Sequence, residues 1–465
     1  MGPSIATGTR GRPARPWRRW GACLGALAGL LVAGGAALAA ADAGEKWTLA
    51  DLVAVALDRN AGLAATGSAS DAAREGIRAA AGERLPRVDA VGLGEIFPRR
   101  ERLLIFRHGF RGTDNPFETA VVNYGLEVTL PLYTSGRIQH GIRLAVARAD
   151  AARFRIDVTR NELIYNVAAA YYTALRLHKV IAAQEAALTR LRESSRVATL
   201  QRQVGRIAPV DLLRIQTRLA QGERDLIGAR TAYQRVIEIL KELIAVPPEV
   251  FIEVAGQLTQ ATLDGTGIET LRGRALDNRP DVVVARHEVQ ARRAAVGISS
   301  ARLGPNLNLK AGYRGATGVE DGITRDDATI FLELRYPLYS GGILQARRRQ
   351  ALAELRQAEF RLQGATRRAL AEVDRAVLDL RAAGPRVEAA RRAVRQGDES
   401  LRIEREKFAL GRGTSNDLLL AEAAALRARL ELATALADSQ IAAAALRLAT
   451  GNSPVPVGPP GGARQ

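Results

Sequence analysis

One stretch of sequence occurs twice in the chain and constrains the fold more than any other feature. Residues Leu126–Gln139 read LEVTLPLYTSGRIQ, and residues Leu332–Gln345, which lie 206 positions later, read LELRYPLYSGGILQ. Leu, Glu, Pro, Leu, Tyr, Gly and Gln stand at matching places in the two copies. Such internal similarity is typical of a chain built from repeated structural units.

A second motif repeats at the same offset. It is a Gly-Arg pair followed by Asp-Leu-Leu, and it occurs at residues 205–213 and again at 411–419. Two unrelated motifs that share one offset indicate a tandem duplication. Upstream the offset becomes 219, because Pro86 corresponds to Pro305. The first repeat therefore carries 13 additional residues, which we expect to form a surface loop within the charged segment Pro98–Glu118.

Residues 1–41 have the three parts of a secretory signal peptide. A basic region, Arg10–Arg19, precedes an uncharged run, Gly21–Ala41, that ends in three alanines. A retained membrane anchor is the alternative, because the run is nearly long enough to span a bilayer. Cleavage after Ala41 would remove Cys23, the only cysteine, so the mature chain would need no disulfide or thiol chemistry.

The composition favours long helices and gives little support for nucleic-acid binding. Aromatic residues make up only 5% of the chain, whereas Ala, Leu and Arg are abundant, as is typical of helical proteins. The net charge is +18. However, charges of both signs alternate along the predicted helices, and no aromatic-basic motif accompanies them. We therefore predict no nucleic-acid partner.

Apolar periodicity predicts several helices. The spacing of apolar residues from Trp47 to about Leu85 predicts one helix that Pro86 ends. Residues Arg137–Val204 and their counterparts Ile343–Leu410 predict two long helices of ~100 Å each, at ~1.5 Å per residue. Gly384-Pro385 lies inside the second of these, where proline predicts a kink.

Two segments alternate apolar and polar residues with a period of two, which predicts β-hairpins at about 86–131 and 305–337. A soluble sheet with one solvated face would show the same alternation. Four strands are too few to close a barrel, and a lipid-exposed sheet cannot leave its edges unpaired. If these strands lie in a membrane, several chains must share one barrel.

The predicted organisation has four parts. Residues 1–41 form the signal peptide, 42–250 the first repeat, 251–452 the second repeat, and 453–465 a Pro/Gly-rich disordered tail. The fold class is mainly α, with long coiled-coil helices and a β portion of four strands per chain.

The two glycine-containing turns join long helices, and each is followed by an aspartate. If Ala208 and Thr414 are N-caps, Asp211 and Asp417 occupy the third helical position, where a carboxylate helps to cap a helix. The alternative is an acidic ring at the end of a pore. A capping carboxylate that faces a lumen would satisfy both interpretations.

No constellation of catalytic, cofactor-binding or metal-binding residues is evident. The histidines have no partners at metal-ligand spacing, and no glycine-rich loop ends in Lys-Ser or Lys-Thr. We therefore predict no cofactor and no enzymatic activity. The histidines are His108, His140, His178 and His287.

From about Trp47 to Gly451, the chain resembles the TolC family of trimeric outer-membrane efflux channels. The resemblance is carried by two Pro-Leu-Tyr-x-x-Gly strand exits, a helix start at Arg279-Pro280-Asp281, and the two turns followed by Asp. The strand exits run from Pro131 to Gly136 and from Pro337 to Gly342. The resemblance implies a homotrimer with a 12-stranded transmembrane barrel, to which each chain gives four strands. It also implies a helical tunnel across the periplasm of a Gram-negative bacterium.

The function implied by this resemblance is a passive exit duct in a tripartite efflux or type I secretion system. The implied partners are outer-membrane lipid, a periplasmic adaptor, and an inner-membrane pump that is reached through the adaptor. The helix turns would contact the adaptor and form the periplasmic gate. The implied gate residues are Asp211, Asp417, Arg206 and Arg412, and the implied adaptor-contacting positions are Gly205, Gly411 and Gly413.

Two positions depart from the family pattern. Leu420 stands where a second aperture acid is expected, and Gly413 stands where an arginine engages the closed gate. We therefore expect Arg206 and Arg412 to offer alternative partners to the aspartates. The alternative function is a periplasmic coiled-coil adaptor or scaffold that never enters the membrane, which would leave the matched strand exits unexplained. Drug efflux and protein secretion both remain open.

Overall fold

The computed structural model describes residues 46–101, 118–263, 265–319 and 324–455, with backbone alone at 97–101, 118–119 and 325. The expected signal peptide and most of the expected insertion loop and tail lie outside the described residues. Apart from Lys46, the elements described below belong to the unit that begins at Trp47.

The described helices form two matching series. The first series is α1 (Leu49–Arg59), α2 (Ala61–Gly82), α3 (Arg137–Gln203) and α4 (Pro209–Leu243). The second is α5 (Ile268–Asn278), α6 (Pro280–Ala301), α7 (Ile343–Ala409) and α8 (Ser415–Ala449). Corresponding helices have equal lengths of 11, 22, 67 and 35 residues. The first two pairs are offset by 219 residues and the last two by 206, as the repeated motifs predict.

The prediction of one helix from Trp47 to Leu85 is wrong, because Asn60 divides it into α1 and α2. Asn60 has extended backbone angles, φ −67° and ψ 115°. Its side-chain oxygen accepts a hydrogen bond from Leu63 N (3.0 Å), and its Nδ2 donates to the carbonyl of Leu243 (3.1 Å). A short polar side chain that bonds nearby backbone groups competes with the helix in this way.

Helix α7 continues through Pro385 from Ile343 to Ala409. Proline removes one backbone donor from the helix, but the flanking residues Ala383 and Val387 are both buried. Packing on both sides of the proline therefore keeps the backbone helical, and the predicted kink stays a prediction.

Four long strands form one antiparallel sheet in the order β2-β3-β5-β6. They are β2 (Arg87–Glu101), β3 (Glu118–Tyr133), β5 (Asn306–Gly318) and β6 (Thr324–Arg335), while β1 (Lys46–Trp47) and β4 (Glu253–Val254) form a separate short pair. Strand β2 extends to Glu101, so the prediction of a loop from Pro98 onward is wrong for the first four residues of that segment. Pairing with β3 prolongs the strand beyond the alternating pattern.

The helices pack side by side in two tiers. Next to the sheet, α3 lies between α2 and α6, and α6 lies between α3 and α7. Towards the other end, α3 packs between α4 and α8, and α8 also packs on α7. Helices α3 and α7 therefore run through both tiers, whereas the shorter helices occupy one tier each.

A segment at 247–263 crosses the long helices near the middle and ties the two repeats together. Tyr171 of α3 donates a hydrogen bond from its hydroxyl to the carbonyl of Ala255 (2.5 Å). The backbone N–H of Ala261 donates to Ser439 Oγ of α8 (2.9 Å). The largest buried apolar cluster surrounds this crossing and includes Leu52, Ile164, Val167, Leu240 and Ile252.

We predict that Asn60→Ala lowers the free energy of unfolding by about 1 kcal/mol, because the variant loses an N-cap. Asn60→Ser is the matched control, since its hydroxyl can still accept from the start of α2. The thermal unfolding midpoints of the two variants, followed by circular dichroism, should rank serine above alanine. Equal midpoints would show that the cap contributes nothing.

Candidate functional site

The two helix turns have the same backbone construction. Gly205 and Gly411 adopt left-handed conformations, with φ of +73° and +71°. In the first turn the N–H of Arg206 donates to the carbonyl of Gln201 (2.7 Å), and in the second the N–H of Arg412 donates to the carbonyl of Lys407 (2.9 Å). These bonds satisfy carbonyls at the ends of α3 and α7, as in the Schellman motif.

The starts of α4 and α8 differ in their caps, although both caps lie where the sequence predicts them. Thr414 accepts a hydrogen bond from the N–H of Asp417 (3.1 Å), and its hydroxyl donates to the Asp417 carboxylate (2.7 Å). Ala208 has no side-chain acceptor, so the N–H of Asp211 bonds to the Ala208 carbonyl instead (3.0 Å). The Asp211 carboxylate is therefore available for a different partner.

That partner is Ser415, the first residue of α8. The Ser415 hydroxyl donates to Asp211 Oδ1 at 2.5 Å, and Arg214 Nη1 lies 3.5 Å from the same oxygen. Ser415 is buried. This bond joins the two turns directly. The sequence does not predict it, because no motif marks Ser415 as more than a first helical residue.

The predicted arginine partners do not meet the aspartates within this chain. Arg206 and Arg412 are both exposed, and among the described residues neither forms an ion pair with Asp211 or Asp417. Arg214, one turn after Asp211, supplies the nearby positive charge instead.

Large apolar side chains are exposed around the turns. Leu420 is 62% exposed and lies one helical turn beyond Asp417. Gly413 lies close to the end of α7. A Cβ at this position would be 3.1 Å from Phe408 N. The other exposed apolar residues near the turns are Leu200, Val204, Val210, Leu213 and Leu410. This end of the molecule therefore presents a partly apolar surface with arginines beside it.

A compact core supports the turns. Leu212, Ile215, Phe408 and Leu418 are buried together. The amide of Gln201 donates from Nε2 to the carbonyl of Phe408 (3.0 Å), which joins α3 to α7. The positions of Asp211 and Ser415 are therefore set by both hairpins.

Farther from the turns, a buried ion pair joins α3 to α8. Arg190 Nε lies 3.2 Å from Glu422 Oε2, and Glu422 is only 3% exposed. Burial raises the pKa of the Glu422 carboxyl, and the positive charge of Arg190 opposes that shift. Arg405 and Arg429 oppose it more weakly. The carboxylate therefore depends on Arg190 for compensation of its charge.

The strand exits lie at the opposite end of the long helices. Gly136 and Gly342 are the residues before α3 and α7, and both have left-handed backbones, with φ of +86° and +77°. Pro131 stands at a register shift in β3, and Pro337 follows the end of β6. The glycines thus supply the sharp change of direction from sheet to helix.

The sheet has exposed apolar side chains and a set of cross-strand ion pairs. Arg314 binds Glu127 across β3 and β5 (2.5 Å), and Lys310 binds Glu333 across β5 and β6 (2.8 Å). The exposed apolar residues include Val88, Leu93, Val122, Leu126, Ile330, Leu332 and Leu334. The outer edges of β2 and β6 have no neighbouring strand among the described residues.

Within the described residues, none of the helices is both long and apolar enough to cross a membrane. The same part of the chain contains no group of three or more side chains arranged to hold a metal ion.

Comparison with known proteins decides the family. The profile of the family described as "Outer membrane efflux protein" matches residues 52–246 and 271–452. The chain belongs to the outer membrane efflux protein family. The protein is thus an outer-membrane channel of the efflux or secretion type. The family and fold favour this function over the periplasmic adaptor or scaffold.

Individual relatives agree with this family. The chain is 28% identical to protein CyaE of Bordetella pertussis over 345 residues, covering 72% of each chain. It is 26% identical to the alkaline protease secretion protein AprF of Pseudomonas aeruginosa over 314 residues, covering 66% of this chain and 65% of that one.

Solved structures share the fold. The outer membrane protein VceC of Vibrio cholerae matches with a TM-score of 0.75 at 20% identity, covering 87% of this chain and 96% of that one. The CmeC outer membrane channel of Campylobacter jejuni matches with a TM-score of 0.76 at 17% identity, covering 87% and 85%. The predicted fold class is confirmed.

We predict that Arg190→Met lowers the free energy of unfolding by about 3 kcal/mol, because it leaves the buried Glu422 carboxylate without compensation. Adding Glu422→Leu to the same chain should recover most of that loss. Thermal midpoints in detergent would measure both changes.

The exposed pair Arg192 and Glu223 provides the control, because both side chains are about half exposed. Arg192→Met should have almost no effect. A double variant that is no more stable than Arg190→Met would contradict the role given to the buried pair.

Proposed function

We propose that this chain is one subunit of a homotrimeric exit duct that serves a tripartite efflux or type I secretion system. The observation that carries the proposal is the open four-stranded sheet, whose apolar side chains are exposed and whose outer strands lack neighbours. Backbone groups at such edges cannot remain unpaired in lipid. Strands from further copies of the chain would pair with them and close a barrel.

The helix turns are proposed as the periplasmic gate. Asp211 and Ser415 would hold the two hairpins of a subunit together, as their short hydrogen bond indicates. Asp417 would contribute one carboxylate per subunit to a ring at the aperture, with Leu420 as an apolar neighbour. Arg206 and Arg412 are exposed and free to meet groups on another subunit or partner.

The same turns are proposed as the docking site of a periplasmic adaptor. Gly205, Gly411 and Gly413 have no side chains, so they add no bulk to the turns. The exposed apolar residues beside them offer a surface for the tip of another helical hairpin. The adaptor would connect the duct to an inner-membrane pump. Relatives include an alkaline protease secretion protein and a cobalt-zinc-cadmium resistance protein. The same architecture therefore occurs in proteins named for different cargoes, and it does not specify the cargo of this chain.

The test begins with the protein extracted from outer membranes in mild detergent. Light scattering corrected for bound detergent should give the mass of three chains, and the purified particle should conduct ions in a planar bilayer. A soluble periplasmic monomer or dimer would overturn the proposal.

We predict that Asp417→Asn reduces the cation preference of the channel, because a carboxylate in a narrow, low-dielectric aperture attracts cations. Reversal potentials in a salt gradient would measure the preference. Glu431→Gln is the matched control, since it removes one negative charge from the same helix, ~21 Å farther along at ~1.5 Å per residue. Unchanged selectivity in Asp417→Asn would refute the assignment.

We predict that Ser415→Ala increases the open probability of single channels, because it removes the hydrogen bond between the two turns. Hydrogen bonds to charged groups contribute about 1.5–3 kcal/mol, so the ratio of open to closed channels should rise about tenfold or more if this bond breaks on opening. Ser415→Thr keeps the hydroxyl and should behave more like the original protein. If the open probability of Ser415→Ala channels is unchanged, this hydrogen bond does not help to keep the gate closed.

A further inference from the structure

An arginine-rich cleft lies at the sheet end of the helices. Its volume is about 570 Å³, and residues of α2, α3 and α6 all line it. The charged side chains in its lining are Glu83, Arg137, Arg148 and Arg302. Arg137 is the first residue of α3, and Arg302 directly follows the end of α6. The cleft therefore lies where the helices meet the sheet.

Most of the positive charge in the cleft is not compensated. Arg137 Nη1 lies 2.8 Å from Glu83 Oε2 and forms an ion pair with it. Arg148 and Arg302 are exposed, and their guanidinium groups form no ion pair with any of the described residues. Three arginines and one carboxylate leave two net positive charges in each chain. Guanidinium groups bind carboxylates and phosphates through paired hydrogen bonds.

Small residues leave room between the charged groups. The lining includes Gly76 and Ala80 of α2, together with Gly141 and Ala145 of α3. A Cβ at either glycine would meet no neighbouring atom within 4 Å, so the packing of the helices does not require glycine there. Glycine inside a helix is less favourable than alanine. The effect of these two glycines is to deepen the cleft.

The two repeats provide an internal comparison for the arginines. At all three positions the other repeat has a neutral or an acidic residue. The counterparts of Arg137, Arg148 and Arg302 are Ile343, Glu354 and Glu83. Glu354 forms an ion pair with Arg292 of α6 (2.7 Å). The helical framework therefore accepts other residues at these places, and the fold does not require an arginine cluster.

In the proposed duct, this cleft faces the lumen. Helix α3 lies between α2 and α6, yet all three helices line the cleft. Two helices approach each other across a middle helix on the concave side of a curved row, and the concave side of a tunnel wall is its lumen. A solute on its way out would pass the cleft just before it enters the proposed barrel.

We propose that the cleft is a binding site for small organic anions that carry several carboxylate or phosphate groups, with one site in each subunit. Arg148 and Arg302 contact the anion directly, and Arg137 borders the end of the cleft next to the sheet. The volume suits a small organic ligand, and a basic cleft with low-dielectric walls concentrates anions. This inference rests on the proposed duct and adds a class of cargo to it.

The test measures the block of single channels in planar bilayers by benzene-1,3,5-tricarboxylate, a rigid trianion. The concentration that halves the current should rise about tenfold or more in Arg148→Gln and in Arg302→Gln, because each variant loses a hydrogen bond between charged groups. Gly141→Leu should also weaken the block, because it fills the cleft without changing the charge.

Arg143→Gln is the matched control. Arg143 is also an exposed arginine of α3, but at ~100° per residue it lies ~140° around the helix from Arg148. The substitution removes the same charge from another side of α3 and should leave the half-blocking concentration unchanged. Calorimetric titration of the same probe into the particle in detergent should rank the variants in the same order, without requiring an open gate.

The outcomes separate this inference from the proposed function. If the trimeric particle conducts but the probe neither blocks it nor binds to it, the anion site is wrong and the duct remains. The same holds if Arg143→Gln weakens the block as much as Arg148→Gln, or if Gly141→Leu leaves the block unchanged, because the effect then reflects only the overall charge of the lumen. A particle that is not trimeric would overturn the proposed function itself.

Discussion

Backbone hydrogen bonding at the sheet edges is the constraint on which the rest of the structure depends. Strands β2 and β6 each leave a row of N–H and C=O groups without a partner strand in the part of the chain that the structure describes. Lipid offers those groups no hydrogen bonds, so a membrane-embedded sheet must close on itself. The four described strands are too few to close a barrel, so the proposed barrel requires further copies of the chain.

The long helices continue from the strands and extend away from the sheet. Left-handed glycines at 136 and 342 turn each strand into a helix of 67 residues, so the arrangement of strands determines the arrangement of helices. Alanine-rich faces let these helices pack closely, and the segment at 247–263 joins α3 to α8 near the middle. This crossing segment therefore lies between the helix turns and the sheet.

Polar contacts join the two hairpins near the turns, beside the compact core that includes Leu212, Ile215, Phe408 and Leu418. Asp211 with Ser415, and Arg190 with Glu422, join the first hairpin to the second at two depths. The former lies at the surface of a small core, whereas the latter is largely buried. In the proposed gate, a partner would separate the hairpins by breaking these polar contacts and would leave the apolar core intact.

The sequence by itself determined the duplication, the lengths of the long helices, the positions of the turns and the two N-caps, because offsets, periodicity and glycines are local properties. It did not predict the break at Asn60, and it placed the end of β2 too early, because a side-chain bond to Leu243 and strand pairing outweighed the local pattern. Only the tertiary structure brought Asp211 to Ser415 and Arg190 to Glu422, residues more than 200 positions apart. Contacts between distant segments depend on how helices pack, and periodicity in one segment does not specify its partner.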